Sequence, residues 1–218
     1  MKRLLWFAAV AAVCVSCGGK KSGYVIDGKI AEGRTDLEGK YVYLIPYGSD
    51  GAATDSALIE KNTFKLQGEP TADGLYALYL KDEGDEMMSR VGEAPFSAVF
   101  VLQKGEMQAV LDSFSYVTGT PENNAFKDIR SVLVNAQKNY MNLVSNIKEG
   151  ELEAVKAKAK QLEDEMMAKV KAYIEANPNK LTTAKLLTDF QFGLDEKTQE
   201  EALAKADSAF MKFPGIKE

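Results

Sequence analysis

The sequence contains no histidine among its 218 residues. That removes the usual general base, the Ser–His pairing of nucleophilic catalysis and the commonest zinc ligand. Its two cysteines, Cys14 and Cys17, and its one tryptophan, Trp6, all lie close to the N-terminus. No apolar run reaches the roughly 20 residues that a membrane-spanning helix needs. Positive charge is in deficit, with 27 Lys and Arg against 32 Asp and Glu. Such a chain is a poor electrostatic partner for nucleic acid, whose phosphates are bound through Lys and Arg. There is no phosphate-cradling glycine loop and no nucleophile elbow. What is there is 45% hydrophobic and 27% charged. That suits a globular protein with a real core, as one large domain or two small ones.

The first residues read as an address. Lys2 and Arg3 form a short positive region, and Leu4 to Val15 is an apolar stretch of the length of a secretory signal. Ser16-Cys17-Gly18 and a small polar run to Gly23 follow. The pattern looks like a bacterial lipoprotein signal, in which Cys17 is acylated and becomes the first residue. The departure is Cys14, at the position that usually holds leucine. Cys14-Val15-Ser16-Cys17 also has the C-x-x-C form of a redox motif. A redox pair belongs at a helix N-terminus after a strand, where the dipole lowers a thiol pKa, whereas this one follows an export segment. The expected division is a leader over 1–16, a tether over 17–23, a β domain over 24–120 and a helical domain over 121–218.

From Tyr24 to Thr120 the pattern is short, β-rich and broken by turns. Tyr24–Ile30 alternates apolar and polar. Lys40–Tyr47 and Leu75–Leu80 are apolar on both faces, so both faces should be covered. Ser49-Asp50-Gly51 signals a turn. Asp55–Glu60 and Thr63–Gly68 flank Lys61-Asn62 as a hairpin, and Ser97–Leu102 and Gln108–Ser113 flank a turn at Lys104-Gly105. The period becomes helical at Thr120-Pro121, an N-cap followed by proline at the first helical position. One apolar stripe runs through Phe126, Ile129, Leu133, Ala136, Tyr140, Leu143 and Ile147, and Gly150 ends it. A second stripe runs from Leu152 to Ile174. A third helix is expected over Leu181–Phe192, and a fourth is capped by Asp195 and continues through Phe210. The fold class is therefore α+β: a small antiparallel β-sandwich or open barrel, then a helical hairpin and two shorter helices. Helical stripes of this kind are packing surfaces first, and the two halves are expected to dock through an apolar interface.

Two clusters could carry a site. Asp82, Glu83, Asp85 and Glu86 share one loop but lack the residue order of an EF-hand; a solvated loop is the plainer reading, and no metal or cofactor is expected. Tyr41, Tyr43 and Tyr47 fall on one strand face, and Tyr79 can join them from a neighbour. Such a row could be a sugar-stacking or protein-binding platform, or it could pack against the helices. Carboxylate-only hydrolysis has plentiful acidic residues to draw on, but no pair is singled out.

The order of these parts resembles the domain of unknown function 4369, a β-rich envelope domain. The residues that carry the likeness are Val25–Ile30, Leu37–Leu44, Asp55–Ala57 leading to Phe64–Gly68, Phe100–Gly105, Val117–Asn124 and Tyr173–Asn179. In relatives this domain usually stands between a lipoprotein signal and a thioredoxin-like domain with a W-C-x-x-C site. That site has no matching positions before Glu218, so no redox residue carries over. The resemblance implies a thioredoxin-like enzyme as a partner in trans. The resulting expectation is a non-enzymatic binding module in the bacterial envelope, tethered by lipid at Cys17 and facing the periplasm. A glycan- or peptide-binding lipoprotein is the alternative.

Overall fold

The computed structural model describes residues 23–48, 53–69, 73–80, 96–145, 147 and 152–216. The expected leader with Cys14 and Cys17, the expected turn at Ser49-Asp50-Gly51, the expected acidic loop and Gly150 lie outside them.

Among the described residues, eight strands form two four-stranded sheets: β1 (Tyr24–Ile30), β2 (Tyr41–Pro46), β3 (Asp55–Leu58), β4 (Thr63–Gly68), β5 (Gly74–Leu80), β6 (Ser97–Leu102), β7 (Gly105–Leu111) and β8 (Tyr116–Thr118). The first sheet has the order β4-β1-β7-β8 and the second β3-β2-β5-β6. All pairings are antiparallel except β1 with β7. The two sheets stack as a sandwich, with no closed barrel among the described residues.

Strand alternation explains the stacking. Ile26, Phe64, Leu66, Met107 and Leu111 of the first sheet meet Val42, Leu44, Leu78, Phe100 and Leu102 of the second in one core. Gly28 lies opposite Phe64 in the register, and the phenyl ring occupies the space a side chain at Gly28 would need. The aromatic thereby covers the bare glycine backbone.

The helical layer covers the outer face of the second sheet, and its first helix also reaches the last strand of the first sheet, with the Lys127 ammonium 4.9 Å from the Tyr116 ring centroid and Arg130 donating to Ser115 O at 2.8 Å. Its members are α1 (Pro121–Ser145), α2 (Leu152–Ala176), α3 (Leu181–Asp189), α4 (Glu196–Leu203) and α5 (Ser208–Met211). Ile45, Leu75, Ala77, Val99 and Val101 from the outer face of that sheet join Phe126, Ile129, Val170, Ile174, Leu186 and Phe210 in a second core. The second sheet is therefore the middle of three layers, and every residue of β6 is buried. Each large side chain removed from water here contributes roughly 1.5–3 kcal/mol, so the halves hold together as the apolar strands require.

Both expected hairpins are corners between sheets. Lys61 and Asn62 do take the left-handed backbone of a tight two-residue turn, with φ of 53° and 58°. Glu60 and Thr63 exchange both hydrogen bonds, at 2.9 and 3.0 Å. Pairing stops there: β3 continues along β2, and β4 along β1. Ile59, fully buried, exchanges backbone bonds with Gly39 and Lys40 at the end of β2 instead of with β4. The turn near Lys104-Gly105 likewise passes from β6 in one sheet to β7 in the other. A turn fixes a local reversal, whereas continued pairing is decided by which layer buries the next apolar residue.

The fourth helix also differs from expectation. It breaks into α4 and α5 because Asp207 accepts hydrogen bonds from Ala209 N and Phe210 N, a second N-cap. Asn179 stitches this break by accepting from Asp207 N at 2.6 Å and donating to its carboxylate at 3.0 Å. The third helix ends at Asp189, short of Phe192. Asp195 caps α4 as the sequence indicates, accepting from Thr198 N.

Candidate functional site

The Gly119–Asn124 segment joins the two halves, and its polar side chains bond within the fold, with Thr120, Glu122 and Asn123 buried and Asn124 exposed. Gly119 has φ of 111°, and a side chain there would press on the backbone of Glu106 and Met107. Asn124 accepts from Gly119 N at 3.0 Å, and Thr120 caps α1 by accepting from Asn123 N at 3.3 Å. Asn123, 1% exposed, accepts from Val101 N at 2.8 Å and donates to Val101 O at 2.9 Å. Its amide thus completes the edge of β6, where a further strand would otherwise be needed. Glu122 accepts from Thr182 N and Thr182 Oγ1, both at 3.2 Å, and so caps α3 from another element. The Tyr173 hydroxyl joins this group at 2.8 Å from Thr182 Oγ1. Burial, with the nearby Glu122 charge adding to it, pushes the Tyr173 pKa up to about 12.

A buried cation marks the seam between sheet and helices. The Lys185 ammonium donates to Asp189 at 2.8 Å and to the Tyr47 hydroxyl at 2.9 Å. It also lies 4.7 Å from the Tyr47 ring centroid. Burial works against the charge, but Asp189 and Tyr47 outweigh it and hold the pKa above the ordinary lysine value. A lysine kept charged in this way is an anchor and cannot serve as a neutral nucleophile at pH 7.

The outer face of the second sheet changes along its strands. The row Ile45–Ala77–Val99 is buried beneath the helices. The next row, Ser56–Tyr43–Tyr79–Ser97, is only partly covered. The row beyond it pairs Tyr41 with Leu58, which are 47% and 38% exposed. The helical layer is too narrow for the whole face and leaves a tyrosine-lined end. There the ring centroids of Tyr41 and Tyr43 are 6.3 Å apart, and those of Tyr43 and Tyr79 are 5.6 Å apart. Both are distances of favourable aromatic contact. Edge strand β3 closes the platform.

Of the four tyrosines expected to share a face, the structure brings three together. Tyr47 belongs elsewhere: it stacks on Phe213 at 6.3 Å and bonds Lys185, under the helical layer. The reason is the length of the helical layer, which reaches Ile45 and Tyr47 but not Tyr43. Cys17 lies outside the described residues. Sequence reasoning did not pick out Lys185 or Asn123. Lys185 was visible only as a lone cation in the apolar stretch Leu181–Leu187, and the Asn123–Val101 bond spans residues no local pattern links.

Among the described residues, no group of three or more His, Cys, Asp or Glu is placed to hold a metal ion. No described helix is long and apolar enough to cross a membrane. No curated protein and no solved structure matches the chain. The family model of the domain of unknown function 4369 matches residues 24–126. The match takes in both sheets and the junction through Phe126, while Tyr173–Asn179, part of the resemblance read from the sequence, lies beyond it. The sandwich and its Gly119–Asn124 junction belong to the domain of unknown function 4369 family.

Proposed function

We propose that the protein is a lipid-anchored envelope module that binds a partner and performs no catalysis of its own. The observation that carries this reading is the open tyrosine end of the second sheet. There Tyr41 is exposed, with the half-buried Tyr43 and Tyr79 behind it, and aromatic rings in contact offer large contact area at low conformational cost. The buried polar chemistry supports it from the other side: Glu122, Asn123, Thr182 and Lys185 are all engaged in joining elements. No buried side-chain nitrogen or oxygen among the described residues lacks a partner. The anchor is Cys17, after the Leu4–Val15 export segment, with the body facing the periplasm. The partner is a thioredoxin-like enzyme supplied by another chain, as the family resemblance implies. A glycan or extended peptide is the second reading, favoured by the row of rings.

The test is calorimetric titration of the wild type and of Tyr41→Ala/Tyr43→Ala against the thioredoxin-like enzymes of the same envelope, with glycan and peptide arrays alongside. Binding lost in the double variant, with unfolding unchanged, supports the reading. Binding retained in full removes the tyrosine face from it. Intact mass should show an acyl adduct on a chain beginning at Cys17; a lipid-free chain beginning elsewhere would refute the anchor.

A further inference from the structure

The α1–α2 hairpin is longer than the surface it packs on. In α1 the fully buried residues are confined to Glu122–Ile129, and in α2 to Val170–Ile174. From Ser131 to Ser145 and from Leu152 to Lys169, no residue of either helix is buried. At 1.5 Å per residue this free arm extends about 20 Å. Two helices alone cannot cover an apolar stripe on both, and the arm shows it. Tyr140 and Met141 are 47% and 54% exposed, and Leu152 is 53% exposed. A groove of ≈ 550 Å³ runs between the helices, floored by Leu133, Tyr140 and Met166 and rimmed by Lys156, Lys160 and Glu163.

We propose that this arm is a self-association surface, on which a second copy of the chain lays its own arm antiparallel and closes a four-helix bundle. Charge order identifies the occupant. Along α2 a basic block, Lys156, Lys158 and Lys160, is followed by an acidic block, Glu163, Asp164 and Glu165. A two-fold axis through the middle of the groove sets the groove-lining Lys160 of one copy against Glu163 of the other. A groove shaped for a strongly acidic or basic partner would carry one sign, whereas this one is lined by Lys156, Lys160 and Glu163 and can pair with a second copy of itself. The facing helix raises no objection, since Lys138 is the one charged residue of Ser131–Ser145. Lys156 and Lys160 now pair with Glu153 and Asp164, each at 2.9 Å. Those pairs are exposed and weak, so they leave the ammonium groups free to re-pair across a dimer. Packing of apolar a- and d-type positions among four helices then supplies the burial that two helices lack.

The contact is short, at the low end of specific interfaces, so the dimer is concentration-dependent. The test is sedimentation velocity of the chain from Gly18 to Glu218, which holds every described residue, from about 5 to about 500 μM. The variants are Lys160→Glu, Glu163→Lys, their combination and Tyr140→Glu, all on exposed arm positions, with circular dichroism as the control for folding. The expected result is a wild-type dimer, weakened about tenfold or more by each single change and restored to within about threefold by the Lys160→Glu/Glu163→Lys combination. A monomer throughout the range overturns the proposal and leaves the groove to a different protein. A dimer that none of the single changes weakens also overturns it, because association then uses another face.

Discussion

The two ends of the α1–α2 hairpin have similar sequences and different fates. At the base, Phe126, Ile129, Val170 and Ile174 pack against the second sheet and are buried. In the arm, Leu133, Leu162 and Met166 continue the same helical period with only partial cover. An amphipathic stripe states which face seeks burial, but the extent of the facing layer decides which turns obtain it. The second sheet shows the reciprocal case: its covered end holds Ile45, Ala77 and Val99, and toward its other end Tyr43 and Tyr79 are half-buried and Tyr41 is exposed. Tyrosine suits that edge because its ring can pack while its hydroxyl meets water.

The largest effect that can break this comparison comes from truncating the base. Phe126→Ala should destabilise the chain by about 3–5 kcal/mol, through lost burial and the cavity left behind. Leu162→Ala in the arm, under dilute conditions, should cost less than about 1 kcal/mol, since its site is open. Urea denaturation of both variants measures the contrast. Equal costs would mean that arm and base are equally packed.

Asn123→Ala should come next, at about 2–3 kcal/mol, because it strands the Val101 N–H and C=O in a buried setting. Hydrogen exchange should then quicken first at Val101 and its neighbours in β6. Unchanged protection there would show that the amide bridge is dispensable.

The smallest effect concerns acid. Hydrogen bonds from the Lys171 ammonium and from Thr198 hold Asp195 well below the usual carboxylate range. Backbone donation from Phe210, then Asn179, lowers Asp207 in the same direction. Both groups bind protons less readily folded than unfolded, so their contribution is present above the unfolded value of about 4 and is lost as pH falls through the lower folded values. Helical circular dichroism should therefore decline below about pH 4, and Asp207→Ala should lessen that decline by removing one of the two groups. An identical acid profile in Asp207→Ala would clear the cap of any part in it.

Much of the β half was legible because alternation and turn chemistry are local. Tyr24–Ile30, Lys40–Tyr47 and Leu75–Leu80 could be read as strands from their own residues, and the apolar strands announced two covered faces. The positive φ values at Lys61 and Asn62 fit the turn read from those residues. The hairpins failed because a turn says nothing of pairing beyond its own residues. At the candidate site, the tyrosines were visible as a row, but their division was not. Whether Tyr47 would lie under Phe213 while Tyr41 stayed open depended on where residues more than 150 positions away came to rest.

The sequence by itself determined the class and its turning point: apolar alternation up to Thr120, helical periodicity after Pro121, and a capped junction between them. Those are properties of neighbours a few residues apart, and backbone geometry translates them directly. Only the tertiary structure decided that consecutive strands divide between two sheets, that Asn123 completes the edge of β6, and that the helices stop short of Tyr43. Each of these depends on the finite extent of one layer against another. Burial is a property of a surface and whatever lies opposite it, and no local pattern states how far that opposite surface reaches.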